Sequence, residues 1–263
     1  MRKTYRAHNT KDYWEKRWKG IPIDSAVSNT DVYPLKYAQM VVGNKTDRIL
    51  EAGCGNGRVL QHYDNHGYNI EGFDYIEDVI HRLKEANPSL KVCCADVTNL
   101  NYESNSFNSI LAFGLYHNLE VGLDKAIDET YRILKPNGLL CASFRADNFQ
   151  NRLNDKLAEK KKTTTSKLLQ FFHKLNLKKK ELEKLFKKSG FVIQQILPVE
   201  NMPLLYKFKF FRANNHKQFN ESLGRTEGYQ LSFFGRLIQG LLIKLFPNQF
   251  CNVYVLIAEK EQT

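Results

Sequence analysis

The chain has 263 residues, 42% hydrophobic and 25% charged, a composition that excludes a disordered polymer and allows one substantial core with an appended part. No run reaches the ~20 apolar residues of a spanning helix, and the basic start Met1–Arg6 leads into no apolar signal region, so the expectation is a cytoplasmic protein. Five cysteines at 54, 93, 94, 141 and 251 lack C-x-x-C spacing and read as reduced core thiols. The net charge of +11 is uneven: residues 151–190 hold 13 Lys/Arg against 4 Asp/Glu.

The first predicted element is an amphipathic helix, Thr10–Trp18, with Thr10 as N-cap and Asp12 in its first turn. Trp14 and Trp18 are spaced i, i+4 and share a face, which either packs on the core or closes over a ligand. Ile21–Asn29 reads as a loop. Tyr33–Val42 reads as a helix with Pro34 in its first turn, ended by Gly43-Asn44.

Ile49-Leu50-Glu51-Ala52-Gly53-Cys54-Gly55-Asn56-Gly57-Arg58 follows, a short buried strand running into three alternating glycines and then a helix, Arg58–His66. Glycine there lets the backbone turn sharply and approach a ligand with no Cβ between them. The dinucleotide spacing G-x-G-x-x-G would need a glycine at 58, which is Arg58. An acid, Glu51, stands two residues before the first glycine, which suits a cationic ligand better than a pyrophosphate.

A second strand, Tyr68–Asp74, ends in an acid about twenty residues on, where such sheets accept ribose hydroxyls. Glu77–Glu85 is a helix stopped by Asn87-Pro88. A third strand, Leu90–Ala95, ends at Asp96-Val97. A fourth, Ser109–Phe113, opens into Gly114-Leu115-Tyr116-His117-Asn118. Helix Leu123–Leu134 and the Pro136-Asn137-Gly138 turn lead to a fifth, Leu139–Phe144. This alternation implies right-handed βαβ units and a parallel sheet covered on both faces.

Beyond Arg145, Asn148–Lys162 and Ser166–Lys174 read as basic helices separated by Thr163–Thr165, and Lys178–Ser189 as an amphipathic helix. Phe191–Leu197 and Cys251–Ala258 read as two more strands, joined by an insertion of about 50 residues. Within it, Leu204–Arg212 interleaves aromatic and basic residues, and Ser232–Phe246 places Phe234, Leu237, Ile238, Leu241, Leu242 and Leu245 on one helical face. Three placements stand for that helix: over an acceptor pocket, on the sheet, or on a bilayer.

The series EAGCGNG, GFDYIEDVI, CCADVTNL, SILAFGLYHNL and RILKPNGLL resembles the class I S-adenosylmethionine-dependent methyltransferases, type 11 group, over residues 46–145. The resemblance implies a Rossmann-like α/β fold whose seven-stranded, mostly parallel sheet has helices on both faces and a last antiparallel strand. It divides the chain into an N-terminal cap (1–45), a cofactor-binding core (46–145) and a C-terminal part (146–263). By the same resemblance, S-adenosyl-L-methionine is the cofactor. Glu51, Gly53 and Gly55 would border its methionine part, Asp74 would take the ribose, Asp96 the adenine amine, and Tyr75 and Val97 the ring faces, with Phe113 alongside. YWEKRW resembles the opening of thiopurine-type methyltransferases, which would put Trp14 and Trp18 in the pocket.

Methyl transfer asks chiefly for proximity and alignment, with a base where the acceptor carries a proton. His117, at the rim of the fourth strand, is the candidate base, or else lines the pocket beside Asn118; Tyr116 is the candidate for positioning the acceptor. The basic segments admit an anionic small molecule or a lipid-linked saccharide as acceptor at the inner membrane face, RNA, or a solvated lysine surface. A catalytically silent scaffold is the remaining alternative. No His/Asp/Glu cluster has metal-ligand spacing.

Overall fold

A computed structural model describes residues 1–6, 10–19, 23, 27–159, 171–214 and 229–262. The side chain of Thr10, the Thr163–Thr165 separator and most of the Ile21–Asn29 loop lie outside the described residues.

The strands are β1 (Arg2–Arg6), β2 (Ile49–Ala52), β3 (Ile70–Asp74), β4 (Val92–Cys94), β5 (Phe107–Phe113), β6 (Leu134–Arg145), β7 (Phe171–Asn176), β8 (Phe191–Val199) and β9 (Val253–Lys260). Seven form the main sheet in the order β4-β3-β2-β5-β6-β9-β8. The pairings from β4 to β6 are parallel, and β9 lies antiparallel between β6 and β8. The chain order reverses between β2 and β5, so a crevice opens at their carboxyl ends, where open α/β sheets take ligands.

The period of two along each strand divides the core. Leu50, Ile110, Leu140 and Leu256 face one side, and Ile49, Leu111, Cys141 and Val255 the other. Helices α3 (Arg58–Asn65) and α4 (Glu77–Ala86) bury Val59, Leu60, Val79, Ile80 and Leu83 on the second side. Helix α5 (Leu123–Ile133) buries Ala126 and Ile127 on the first. Lys260, buried at the end of β9, donates to Asn105 Oδ1 and to the carbonyls of Tyr131 and Leu134, each at 2.8 Å. An ammonium there closes the carboxyl end of α5, where free carbonyls and the helix dipole favour a cation.

Four elements differ from the sequence reading. Tyr33–Val42 is not a full helix; only the turn α2 (Leu35–Ala38) is helical. The stretch read as a basic helix, Ser166–Lys174, is a strand where it is described: β7 pairs antiparallel with β1, itself not foreseen. Its alternation buries Phe172 and Leu175, and Arg2 holds the pair to the core through Asp147 and Asp155, each at 2.8 Å. A partner strand from far along the chain thus overrides local helical propensity. Strand β6 begins at Leu134 and takes in Pro136-Asn137-Gly138, read from sequence as a turn. Helix α6 (Phe149–Glu159) matches the expected Asn148–Lys162 helix as far as it is described, residues 160–162 lying outside the described residues, and α7 (Lys179–Lys188) matches the expected Lys178–Ser189 helix. Of the cysteines, 54, 141 and 251 are buried but 93 and 94 are exposed, because β4 is the edge of the sheet.

Candidate functional site

Gly53, Gly55 and Gly57 all adopt left-handed backbone, at φ of 70°, 51° and 66°. That conformation is strained for any residue carrying a Cβ, and it folds the chain from β2 into α3 within five residues. A Cβ on Gly55 would stand 2.5 Å from the Trp18 ring. Trp18 stacks on Trp14 with ring centroids 5.4 Å apart, so helix α1 (Thr10–Lys19) lies against the glycine turn through its aromatic face.

Two acids shape the turn. Asp74 Oδ2 accepts from the Gly55 N–H at 2.8 Å and its Oδ1 from the Ile76 N–H at 3.0 Å, so it braces the glycine loop and the turn that leads into α4. Burial raises its pKa against the effect of these bonds. Glu51 is buried, and its Oε2 accepts from the Leu60 N–H at 2.7 Å. Desolvation, opposed by that bond and reinforced by the Asp74 charge, pushes its pKa up to about 8.

Both acids line a cavity of about 1150 Å³ at the crevice. Trp14, Trp18, Gly53, Tyr75, Asp96, Val97, Phe113 and His117 line it as well. Asp96 Oδ1 accepts from the Thr98 N–H and hydroxyl, which fixes its orientation. Tyr75 is exposed at the mouth, Val97 is buried, and His117 is buried in a 3₁₀ turn, Tyr116–Asn118.

Tyr116 corrects the sequence reading. Its ring lies in the core, stacked on Phe144 at 5.4 Å, with its hydroxyl 2.7 Å from Thr130 Oγ1, and it does not line the cavity. Consecutive residues of a tight turn point in different directions, so His117 faces the cavity and Tyr116 the core. Burial raises the phenol's pKa.

The sequence reading missed the far half of the cavity. Arg145, Asn151, His173, Met202 and Asn252 line it from five separate segments. Arg145 is held by Asn176 and Asp155, and the Oδ1 of Asn252 accepts from the N–H groups of Asn201 and Met202 at 3.1 and 2.9 Å. It also missed Ser143, whose Oγ accepts from the Gly114 N–H at 2.9 Å and lies 3.0 Å from the Tyr33 hydroxyl. A serine in an apolar strand carries no signal of that role.

The profile of the Methyltransferase domain family, type 11, matches residues 50–142. These residues belong to the class I S-adenosylmethionine-dependent methyltransferases. S-adenosyl-L-methionine is the family's cofactor and the cofactor of this chain. A demethylmenaquinone methyltransferase of Paenarthrobacter aurescens is 28% identical over 131 residues, 49% of this chain and 45% of that protein. The matched region thus spans less than half of that relative. An S-adenosyl-L-methionine-dependent Diels-Alderase of Talaromyces variabilis is 25% identical over 244 residues, 82% of this chain and 80% of that one. Among solved structures, a SAM-dependent methyltransferase from Methanosarcina mazei superimposes with a TM-score of 0.58 at 18% identity, over 88% of this chain and 99% of that one, and shares the fold.

The residues present fit this cofactor. Glu51 and Gly53 line the cavity where a sulfonium and an ammonium group would lie, and Asp74, Asp96 and Val97 line the same cavity, where they would hold a nucleoside; Gly55 lies under the Trp18 ring and does not line it. A cation beside Glu51 offsets its desolvation and favours the ionised carboxylate.

Proposed function

We propose that the protein moves a methyl group from S-adenosylmethionine to a small-molecule acceptor, a lipid-linked saccharide among the candidates, held in the far half of the cavity. One observation carries this: the cavity is continuous from the glycine turn to Asn252, and about 1150 Å³ exceeds an ordinary single-ligand pocket of roughly 300–1,000 Å³. It has room for two molecules side by side.

The cofactor supplies an activated methyl for in-line displacement, in which the S–CH₃ bond breaks as the acceptor–CH₃ bond forms. The chain supplies the rest. Glu51 and Asp74 fix the donor end, and α1 covers the turn and excludes water. Arg145, Asn151 and Asn252 offer polar contacts that orient an acceptor, a proximity effect able to supply much of the barrier reduction. His117, buried and lining the cavity, would take the acceptor's proton.

The test is transfer of labelled methyl from the cofactor into aqueous and lipid extracts, with cofactor binding followed by calorimetry. Binding should fall in Asp74→Ala, and labelling should fall in His117→Ala while binding persists. A protein that binds no cofactor sinks the reading. The extent of the match to the Talaromyces Diels-Alderase favours a second reading, in which the cavity shapes a substrate for cyclisation and the cofactor is retained. Product formed without loss of the cofactor's methyl would select it.

A further inference from the structure

Helix α8 (Phe233–Leu245) carries its apolar face outward. Phe233, Phe234 and Leu237 are 69%, 66% and 63% exposed, and Ile238, Leu241 and Leu245 are exposed along the same side. Phe246 continues the surface at the helix end, and Phe210, 84% exposed, adds an aromatic from the neighbouring 3₁₀ turn, Lys209–Phe211. Large apolar side chains on soluble surfaces normally occur singly, and a contiguous group marks an interaction site.

The orientation is imposed by the other face. Gln239 is buried: its Nε2 donates to Glu200 Oε2, and its Oε1 accepts from the Leu205 N–H at 3.2 Å. Gly235 sits so close to the Phe211 carbonyl that a Cβ would stand 2.6 Å from the oxygen. The Ser232 hydroxyl caps the helix by accepting from the Gly235 N–H. The helix therefore docks through its polar and small residues. This overturns two of the three sequence-based placements: the apolar face covers neither the acceptor cavity nor the sheet.

Charge selects the occupant. Lys207, Lys209, Arg236 and Lys244 are exposed beside the apolar side chains, and the segments 201–214 and 229–250 contain five Lys/Arg and no Asp or Glu. Two copies meeting face to face would set these cations against one another. An anionic bilayer neutralises them while its acyl region takes the phenylalanines and leucines. No helix of the described residues is long and apolar enough to cross a membrane, so the contact is peripheral. We infer that α8 and the Lys207–Arg212 segment form a docking surface for an anionic lipid bilayer. The inference stands apart from the identity of the methyl acceptor.

Co-sedimentation of the full chain with vesicles of equal parts phosphatidylcholine and phosphatidylglycerol, and with phosphatidylcholine alone, tests it. Binding is expected to the anionic vesicles, weakened by salt, and reduced about tenfold or more in the double variant Leu237→Asp/Leu241→Asp. Lys180→Glu, a charge change on a distant helix, should leave most binding intact. A second readout uses Phe234→Trp, whose emission should be quenched by lipids brominated in the acyl chain. No sedimentation, or sedimentation and quenching insensitive to these variants, would overturn the inference. So would a dimer in ultracentrifugation that Leu241→Asp dissolves while vesicles go unbound, which would assign the face to a second copy.

Discussion

Replacing Glu51 by glutamine isolates the electrostatic cost at the centre of the site. In the folded chain this carboxyl titrates near 8, against an ordinary value of 4.5, because burial penalises its charge more than the Leu60 N–H relieves it. Between those two pH values the unfolded chain has released a proton that the folded chain keeps. The contribution of this carboxyl to stability therefore falls as pH rises through the window, and that contribution is gone above the folded value. At ~1.4 kcal/mol per pH unit, the whole span amounts to about 5 kcal/mol as an upper bound. Glutamine is neutral throughout and keeps an oxygen for Leu60. Urea unfolding of the cofactor-free protein from pH 5 to pH 9 should give a wild-type curve that declines and a Glu51→Gln curve that declines much less. Asp74, also raised by burial, is present in both proteins, so the difference reports Glu51. Curves that stay parallel across the range would refute the reasoning. Cofactor binding near neutral pH should also release a proton from wild type and less from the variant, read by calorimetry in buffers of different ionisation enthalpy.

Gly55→Ala should raise the cofactor Kd about tenfold or more, since φ of 51° strains any Cβ and the new methyl meets Trp18 at 2.5 Å; an unchanged Kd by calorimetry would contradict it. Tyr116→Phe removes the bond to Thr130 and should cost about 1 kcal/mol in denaturant unfolding while leaving cofactor affinity as it was. Lys260→Met strips three carbonyl and amide oxygens of their donor and should cost ~2–3 kcal/mol by the same measurement. Arg2→Ala releases β1 from Asp147 and Asp155, which keep Arg152 and Arg145, so the expected loss is about 1–2 kcal/mol, with faster proteolysis near the N-terminus.

The sequence alone determined β2 to β5 and the apolar part of β6, because each is a short apolar run near glycine, proline or asparagine and each helix between them carries its own amphipathic stripe; the extension of β6 back to Leu134 came from its pairing with β5. Glu51, Gly53, Asp74, Asp96 and Val97, singled out from sequence, line the cavity because their neighbours in the chain set them at strand ends, whereas Gly55 is covered by Trp18. Tertiary structure decided what local pattern could not carry. Whether His117 or Tyr116 faces the cavity depends on how one 3₁₀ turn is packed. Arg145, Asn151, His173, Met202 and Asn252 meet only because the strands that bear or flank them pair across long separations. The pattern of α8 announced an apolar face but not its direction. That was decided by Gln239 and Gly235, which hold the opposite side against the protein. Periodicity records that a helix has two faces, while only its packing partners fix which one meets solvent.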